Sequence, residues 1–394
     1  MKFARYKFLI SAVICLFLCS FVNVVYAFPD SCEEGELEMF TLGTPTTIMS
    51  LSRTPSYDNI ELGPCTIVQV DKSLYYLYYL CNGTYSDVNS LYAPARYKYW
   101  DETNNRYTTH DNRHIAFAYS LDGLNWIKGF PDGMSMKTNS SGNPLSISGD
   151  ALPEGTNLLN YIGITEFDVV KVQDSDYPFR LIANELIDLD TYTNMTHVCM
   201  WKSKDGINFE DKVEILPDKY DSMPSVIARG NILKVYHRMR SQSTNKKRVI
   251  GVMYLDLNGA ILSPLTTIID DYYYNSAASV LDDRREILFP TYFDQKDPTL
   301  THYDAYIVEG YNYVKCNSST SAFMFKNDRF GMTSPHIIDI NGKNYILYYQ
   351  SNKWHSSPSV KIDQSDTGKK TNEYRLIPIK FDVVGNPCPA SLRK

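Results

Sequence analysis

Three aspartates stand at corresponding places along the chain. Asp58 in Tyr57-Asp58-Asn59-Ile60, Asp168 in Glu166-Phe167-Asp168-Val169-Val170 and Asp221 in Tyr220-Asp221-Ser222-Met223-Pro224 each precede or open an apolar, strand-forming segment. A carboxyl group can give or take a proton. The start of a rigid strand holds such a group still while the adjoining loops vary. Arg238 follows Lys234-Val235-Tyr236-His237, and its planar guanidinium can grip a hydroxyl or carboxylate in a fixed fork. His336 follows Ser334-Pro335 at the head of another such segment. No cysteine pair has CxxC spacing and no histidines have HExxH spacing, so no protein-built metal site is expected. GxGxxG, GxxxxGK[ST] and GxSxG are missing too, and no cofactor is expected.

The elements that must position these residues repeat. Leu74-Tyr75-Tyr76-Leu77-Tyr78-Tyr79-Leu80 follows Thr66-Ile67-Val68-Gln69-Val70 across a short turn. Ile232-Leu233-Lys234-Val235-Tyr236 follows Ser225-Val226-Ile227-Ala228, and Tyr345-Ile346-Leu347-Tyr348-Tyr349 follows His336-Ile337-Ile338-Asp339-Ile340. Weaker copies start at Val169 and Ala278. Each reads as a hairpin with Gly, Asn or Asp at its turn. A second element closes some units: Ser120-Leu121-Asp122-Gly123-Leu124-Asn125-Trp126 recurs as Ser203-Lys204-Asp205-Gly206-Ile207-Asn208-Phe209. Asp122 and Asp205 belong to these turns rather than to catalysis. Anchors at Asp168, Asp221, Asn275 and Phe330 are 53, 54 and 55 residues apart. That period is one blade of about four strands, and a sandwich needs no such period. The expected fold is an all-β, five-bladed β-propeller of mostly four-stranded antiparallel blades. Two polar insertions, Asn82 to Arg113 and Asp132 to Asn160, lengthen the gap between the first two units and read as loops.

The chain opens with Lys2, Arg5 and Lys7, an apolar run from Phe8 to Leu18, and Val25-Tyr26-Ala27. This reads as an export signal, residues 1–27, cut after Ala27, leaving 28–394 as a single propeller domain in a secreted or periplasmic protein. No later segment is long and apolar enough to span a membrane. Losing the three basic residues takes the formal charge from −6 to −9, which does not suit nucleic acid. Six cysteines remain: Cys32, Cys65, Cys81, Cys199, Cys316 and Cys388. An even set in an exported chain predicts disulfides, with Cys32 and Cys388 the favoured pair because they lie near the two mature ends. The 31 Tyr, 17 Phe and 4 Trp favour strands and equally suit stacking on sugar rings. Nothing in the sequence sets an oligomeric state.

The pattern Pro-x-x-Val-Ile, short turn, Tyr-rich strand, then Ile115-Ala116-Phe117-Ala118-Tyr119-Ser120-Leu121-Asp122-Gly123 and Trp126 resembles the five-bladed propeller glycoside hydrolases of the arabinanase, xylosidase and invertase type, over about residues 50 to 350. The resemblance implies a carbohydrate substrate and three acids at the starts of the inner strands of the first three blades. Asp58 then serves as base or nucleophile, Asp168 orients and tunes, and Asp221 protonates the leaving oxygen. The sequence departs from that pattern twice. Gly63-Pro64 stands where the resembling enzymes have Asp-Pro, and Ser222 stands at the position of their acidic Glu, with Asp221 or Glu185 to replace it. Glu185, Arg238 and His336 are the implied substrate-binding residues. Two other classes remain open: a carbohydrate-binding propeller without catalysis, and a structural or adhesion module.

Overall fold

The computed structural model describes residues 40–50, 52, 61–82, 97–101, 106–110, 114–147, 149, 152, 158–159, 164–186, 196–216, 224–240, 248–269, 275–281, 285–292, 302–309, 312–315, 332–351 and 372–381. The chain enters through β1 (Phe40–Leu42) and β2 (Thr46–Ser50). Blade 1 is β3 (Glu61–Asp71) and β4 (Leu74–Asn82), then, after a separate hairpin of β5 (Tyr97–Asp101) and β6 (Arg106–His110), β7 (His114–Ser120) and β8 (Ile127–Lys128). Blade 2 is β9 (Ile164–Lys171), β10 (Phe179–Leu186), β11 (Thr196–Ser203) and β12 (Phe209–Leu216). Blade 3 is β13 (Ser225–Arg229), β14 (Ile232–Arg240), β15 (Arg248–Asp256) and β16 (Ile261–Ile269). Blade 4 is β17 (Asn275–Val280), β18 (Arg285–Tyr292), the short β19 (His302–Tyr303), β20 (Tyr306–Glu309) and β21 (Asn312–Lys315). Blade 5 is β22 (Met332–Ile340), β23 (Lys343–Ser351) and β24 (Asn372–Phe381). Every blade is an antiparallel meander, so the expected five-bladed propeller is what forms.

The last blade is completed from the other end of the chain. β1 and β2 both pair with β24, in the registers Phe40↔Phe381 and Thr46↔Leu376. The ring therefore closes through backbone hydrogen bonds. Cys32, Cys316 and Cys388 lie outside the described residues, as does the expected export segment. Cys65, Cys81 and Cys199 correct the disulfide expectation in part, because all three are free thiols buried in apolar cores, where they pack as small hydrophobes. Burial pushes the Cys199 thiol up to about 12 and the Cys65 thiol well up.

The Tyr-rich second strands are apolar on both faces because both faces are covered. Tyr76, Tyr78 and Leu80 of β4 point into a core shared with blade 2, while Tyr75, Leu77, Tyr79 and Cys81 point into one shared with blade 5. Five apolar clusters fill the five gaps between blades. Two buried tyrosine hydroxyls bond across the gaps: Tyr78 Oη donates to the Gly206 carbonyl at 2.7 Å and Tyr374 Oη to that of Gly63 at 2.8 Å.

The two Ser-x-Asp-Gly turns are built alike. Ser120 Oγ and Ser203 Oγ each accept from their glycine N–H at 2.9 Å, and Asp122 and Asp205 each accept from the amides two and three residues on and from the Asn side chain. Those donors outweigh burial and hold Asp122 down at about 2. Gly206 takes φ +78°, and a Cβ there would meet Tyr78 Oη at 2.7 Å, so each turn also seats against the preceding blade. Among the described residues no helix is long and apolar enough to cross a membrane.

Candidate active site

The five inner strands surround a cavity of about 350 Å³. Its wall is Thr66–Gln69, Asp168–Lys171, Val226–Ala228, Ala278–Val280 and His336–Asp339, one stretch from each blade. In this wall the polar side chains Thr66, Asp168, Ser279 and His336 are buried, and so is Ser225 at its edge. A buried polar group without a partner costs about 1–3 kcal/mol, so where these bonds go matters.

They go to the next blade, all the way round. Thr66 Oγ1 of blade 1 donates to the Val169 carbonyl of blade 2 at 3.4 Å. Asp168 Oδ2 of blade 2 accepts from the Val226 N–H at 2.8 Å and the Ser225 hydroxyl at 3.2 Å, both of blade 3. Ser225 Oγ accepts from the Ala278 N–H of blade 4 at 2.9 Å, and Ser279 Oγ accepts from the Ile337 N–H of blade 5 at 2.9 Å. The His336 ring donates to the Cys65 carbonyl of blade 1 and closes the circuit. The other Asp168 oxygen, Oδ1, accepts from the Val169 N–H at 2.8 Å. Burial lowers the His336 pKa, while the Asp168 charge and the bond to Cys65 oppose that shift.

The sequence-predicted residues separate into three groups. Asp168 and His336 share the channel wall, and the Asp168 charge acts on the His336 ring against the effect of burial. Asp58 and Asp221 lie outside the described residues, three positions ahead of β3 and four ahead of β13. Glu185 and Arg238 sit one strand out from the channel. Arg238 is 5% exposed on β14 beside His237, which burial pushes down to about 3. Glu185 faces a second cavity on the outer flank of blade 2, paired with Lys212. Sequence reasoning passed over Thr66, Ser225 and Ser279, which complete the circuit. Superposing Pro64-Cys65-Thr66, Pro224-Ser225-Val226 and Pro335-His336-Ile337 could have found Ser225, since each proline marks the same entry to an inner strand. Among the described residues no group of three or more metal-binding side chains occurs.

No protein-family model and no curated protein matches this sequence. Solved structures are similar across most of its length. An N-acetylgalactosamine deacetylase from F. plautii, in complex with blood group B trisaccharide, has a TM-score of 0.52 at 13% identity, covering 87% of this chain and 96% of its own. An endo-arabinase from Bacteroides thetaiotaomicron has a TM-score of 0.46 at 13% identity, covering 87% and 99%. An α-L-arabinofuranosidase from Podospora anserina, in complex with cellotriose, has a TM-score of 0.49 at 7% identity, covering 87% and 96%. At these identities the likeness speaks to the fold: the chain is a sequence-divergent five-bladed β-propeller, an architecture found among enzymes that act on carbohydrate.

Proposed function

We propose that this protein is an exported, glycosidase-like propeller that takes a poly- or oligosaccharide at the channel end where the inner strands begin, with Asp58, Asp168 and Asp221 as its acidic set. The observation that carries the reading is the channel wall itself. It holds Asp168 on the inner strand of blade 2 and His336 on that of blade 5, on either side of blade 1, and in sequence Asp58 and Asp221 lie three and four positions ahead of the inner strands of blades 1 and 3. In an antiparallel meander the connection from second to third strand returns to that same end. In blade 1 this connection holds the β5–β6 hairpin, with Tyr97, Tyr99, Trp100 and Tyr107 in its strands and Trp100 paired to Tyr107 in register. Aromatic rings suit the apolar faces of sugars.

Glycosidic cleavage passes through an oxocarbenium-like state, so one carboxyl must protonate the leaving oxygen while another acts from the opposite face. Asp221 takes the first role and Asp58 the second. Asp168 orients and tunes, because its bonds to two blades keep its charge in place. The test is hydrolysis of a broad glycan panel by the mature protein and by Asp58→Asn, Asp168→Asn and Asp221→Asn, each checked for folding by circular dichroism. Turnover that is the same in all three variants as in the parent refutes the site.

A second reading keeps the ligand and drops the reaction. Ser222 stands where the resembling enzymes have their acid, and the Asp168 carboxylate is 3% exposed and engaged in blade-to-blade bonds. Glycan binding with no turnover, unaffected by Asp221→Asn, would identify a carbohydrate-binding propeller.

A further inference from the structure

The second cavity, about 360 Å³, lies on the outer flank of blade 2, where the insertion after blade 1 runs along β12. It falls in the size range of small-ligand sites, about 300–1,000 Å³. It is also built rather than left over. The Lys137 N–H donates to Asn208 Oδ1 at 2.6 Å, and Asn208 Nδ2 donates to the Ser135 carbonyl at 3.0 Å. These two bonds fix the insertion as one wall.

The other wall owes its shape to a bulge. Met200 pairs with Val213 and Lys202 with Glu210, so Asp211 and Lys212 together stand opposite Trp201. Asp211 adopts φ 54°, in the left-handed region that side chains other than Gly rarely enter. Bulges of this kind re-aim side chains. Here Asp211 pairs with Lys202 at 2.8 Å, while Lys212 crosses β11, passing 5.9 Å from the Trp201 ring, to reach Glu185 on β10. A second pair, Lys137–Glu210, stands on the insertion side. The apolar part of the lining is Leu145 and Ile147, half-buried, with Trp201 and Phe209 buried behind.

Apolar surface beside two ion pairs has the chemistry of a sugar ring, with C–H faces toward the apolar residues and hydroxyls toward the charges. An ammonium has three N–H donors and a carboxylate about four acceptor positions, so each pair keeps hydrogen-bonding capacity for hydroxyls. The lining holds two lysines against Glu185, Glu210 and Asp211, and Asp211 is matched by Lys202. That balance offers nothing to an anion.

We propose that this flank cavity is a second saccharide-binding site, separate from the channel, which takes a ring of a neutral oligosaccharide. It shares with the channel reading only the class of ligand. The test is titration calorimetry of the mature protein with neutral trisaccharides (cellotriose, xylotriose and arabinotriose), repeated with Lys212→Ala, Glu185→Gln and Lys137→Ala and with the channel variant Asp221→Asn. The expected result is binding of at least one trisaccharide whose affinity falls by about tenfold, or ~1.4 kcal/mol, in the flank variants and holds in Asp221→Asn. Equal affinity in all three flank variants overturns the proposal, as does a folded protein that binds none of the three sugars. Loss in Asp221→Asn alone overturns the flank site and supports the channel. Loss in the flank variants alone supports the flank site and leaves the channel reading to the hydrolysis test.

Discussion

Replacing Asp168 by alanine removes an acceptor that serves three donors: the Val169 N–H, the Val226 N–H and the Ser225 hydroxyl. The hydroxyl can rotate to another partner, but the two backbone groups belong to buried residues and stay in place. Each buried donor left without an acceptor costs about 1–3 kcal/mol, so the loss should be about 3–5 kcal/mol, offset slightly because a buried charge is no longer desolvated. Ser279→Ala removes a neutral acceptor serving a single donor, Ile337 N–H, and should cost about 1 kcal/mol. Ser225→Ala strands Ala278 N–H and also takes a donor from Asp168, which puts it between the two. Urea denaturation of the mature protein, followed by circular dichroism, should give the order Asp168→Ala, Ser225→Ala, Ser279→Ala from most to least destabilised. In thermal melts about 2 °C per kcal/mol is expected for a chain of this size. A purely catalytic aspartate predicts something different, namely lost turnover at unchanged stability. An Asp168→Ala protein within about 0.5 kcal/mol of the parent, the range of inert surface changes, would refute the circuit as a structural device.

The other turns and staples make separate predictions. Gly206→Ala combines φ +78° with a Cβ placed 2.7 Å from Tyr78 Oη, and should cost about 2–4 kcal/mol; Gly230→Ala, at φ +56° with nothing within 4 Å, should cost about 1 kcal/mol, and equal melts would sink the argument from packing. Arg180→Lys should cost about 2–3 kcal/mol, because the Arg180 fork donates at once to the Leu257 carbonyl of blade 3 at 2.7 Å and to Asp174 at 2.7 Å, which one ammonium cannot copy; denaturation indistinguishable from the parent would refute it. His237, pushed down to about 3 by burial, is neutral when folded. Its lowered folded pKa means that its contribution is full above the unfolded value of about 6.5 and is lost as pH falls from there toward 3. His237→Gln should flatten the fall in stability between about pH 6.5 and 4.5, above the carboxylate range, leaving the part due to His336. A slope as steep as the parent's would show that His237 is not a source.

How far the sequence could be read depended on how local each interaction is. The Ser-x-Asp-Gly turns were legible because Ser120, Asp122, Gly123 and Asn125 bond to one another within five residues. The hairpins were legible because β4 alternates faces and both faces are buried. The closing strands β1 and β2 were not, since they are only 3 and 5 residues long and owe their conformation to β24, more than 300 positions away. The channel circuit was half legible. Asp168 and His336 stood out as charged or titratable groups at strand starts. Ser225 and Ser279 look like ordinary hydroxyls until their partners, 53 and 58 residues on, are in place. The resemblance implies Glu185 as a substrate-binding residue, but its position on β10 rather than β9 carries it out of the channel wall.

The circuit also sharpens which acids could do chemistry. A proton donor must approach and leave an oxygen on the substrate, and a nucleophile must face the anomeric carbon. Asp168 can do neither easily, with Oδ1 on Val169 and Oδ2 on Val226 and Ser225. Its contribution to a reaction is a fixed negative charge beside the mouth, and stability depends on that same charge. Asp58 and Asp221 precede two of the strands that form the wall and, on the proposed reading, act on the substrate. Substituting them should therefore reduce turnover by at least about a hundredfold, the usual share of a general acid or base, at unchanged melting temperature. Asp168→Asn should instead lower turnover and melting temperature together. If all three variants move both quantities in parallel, activity merely follows folding, and the division of labour among the acids is wrong.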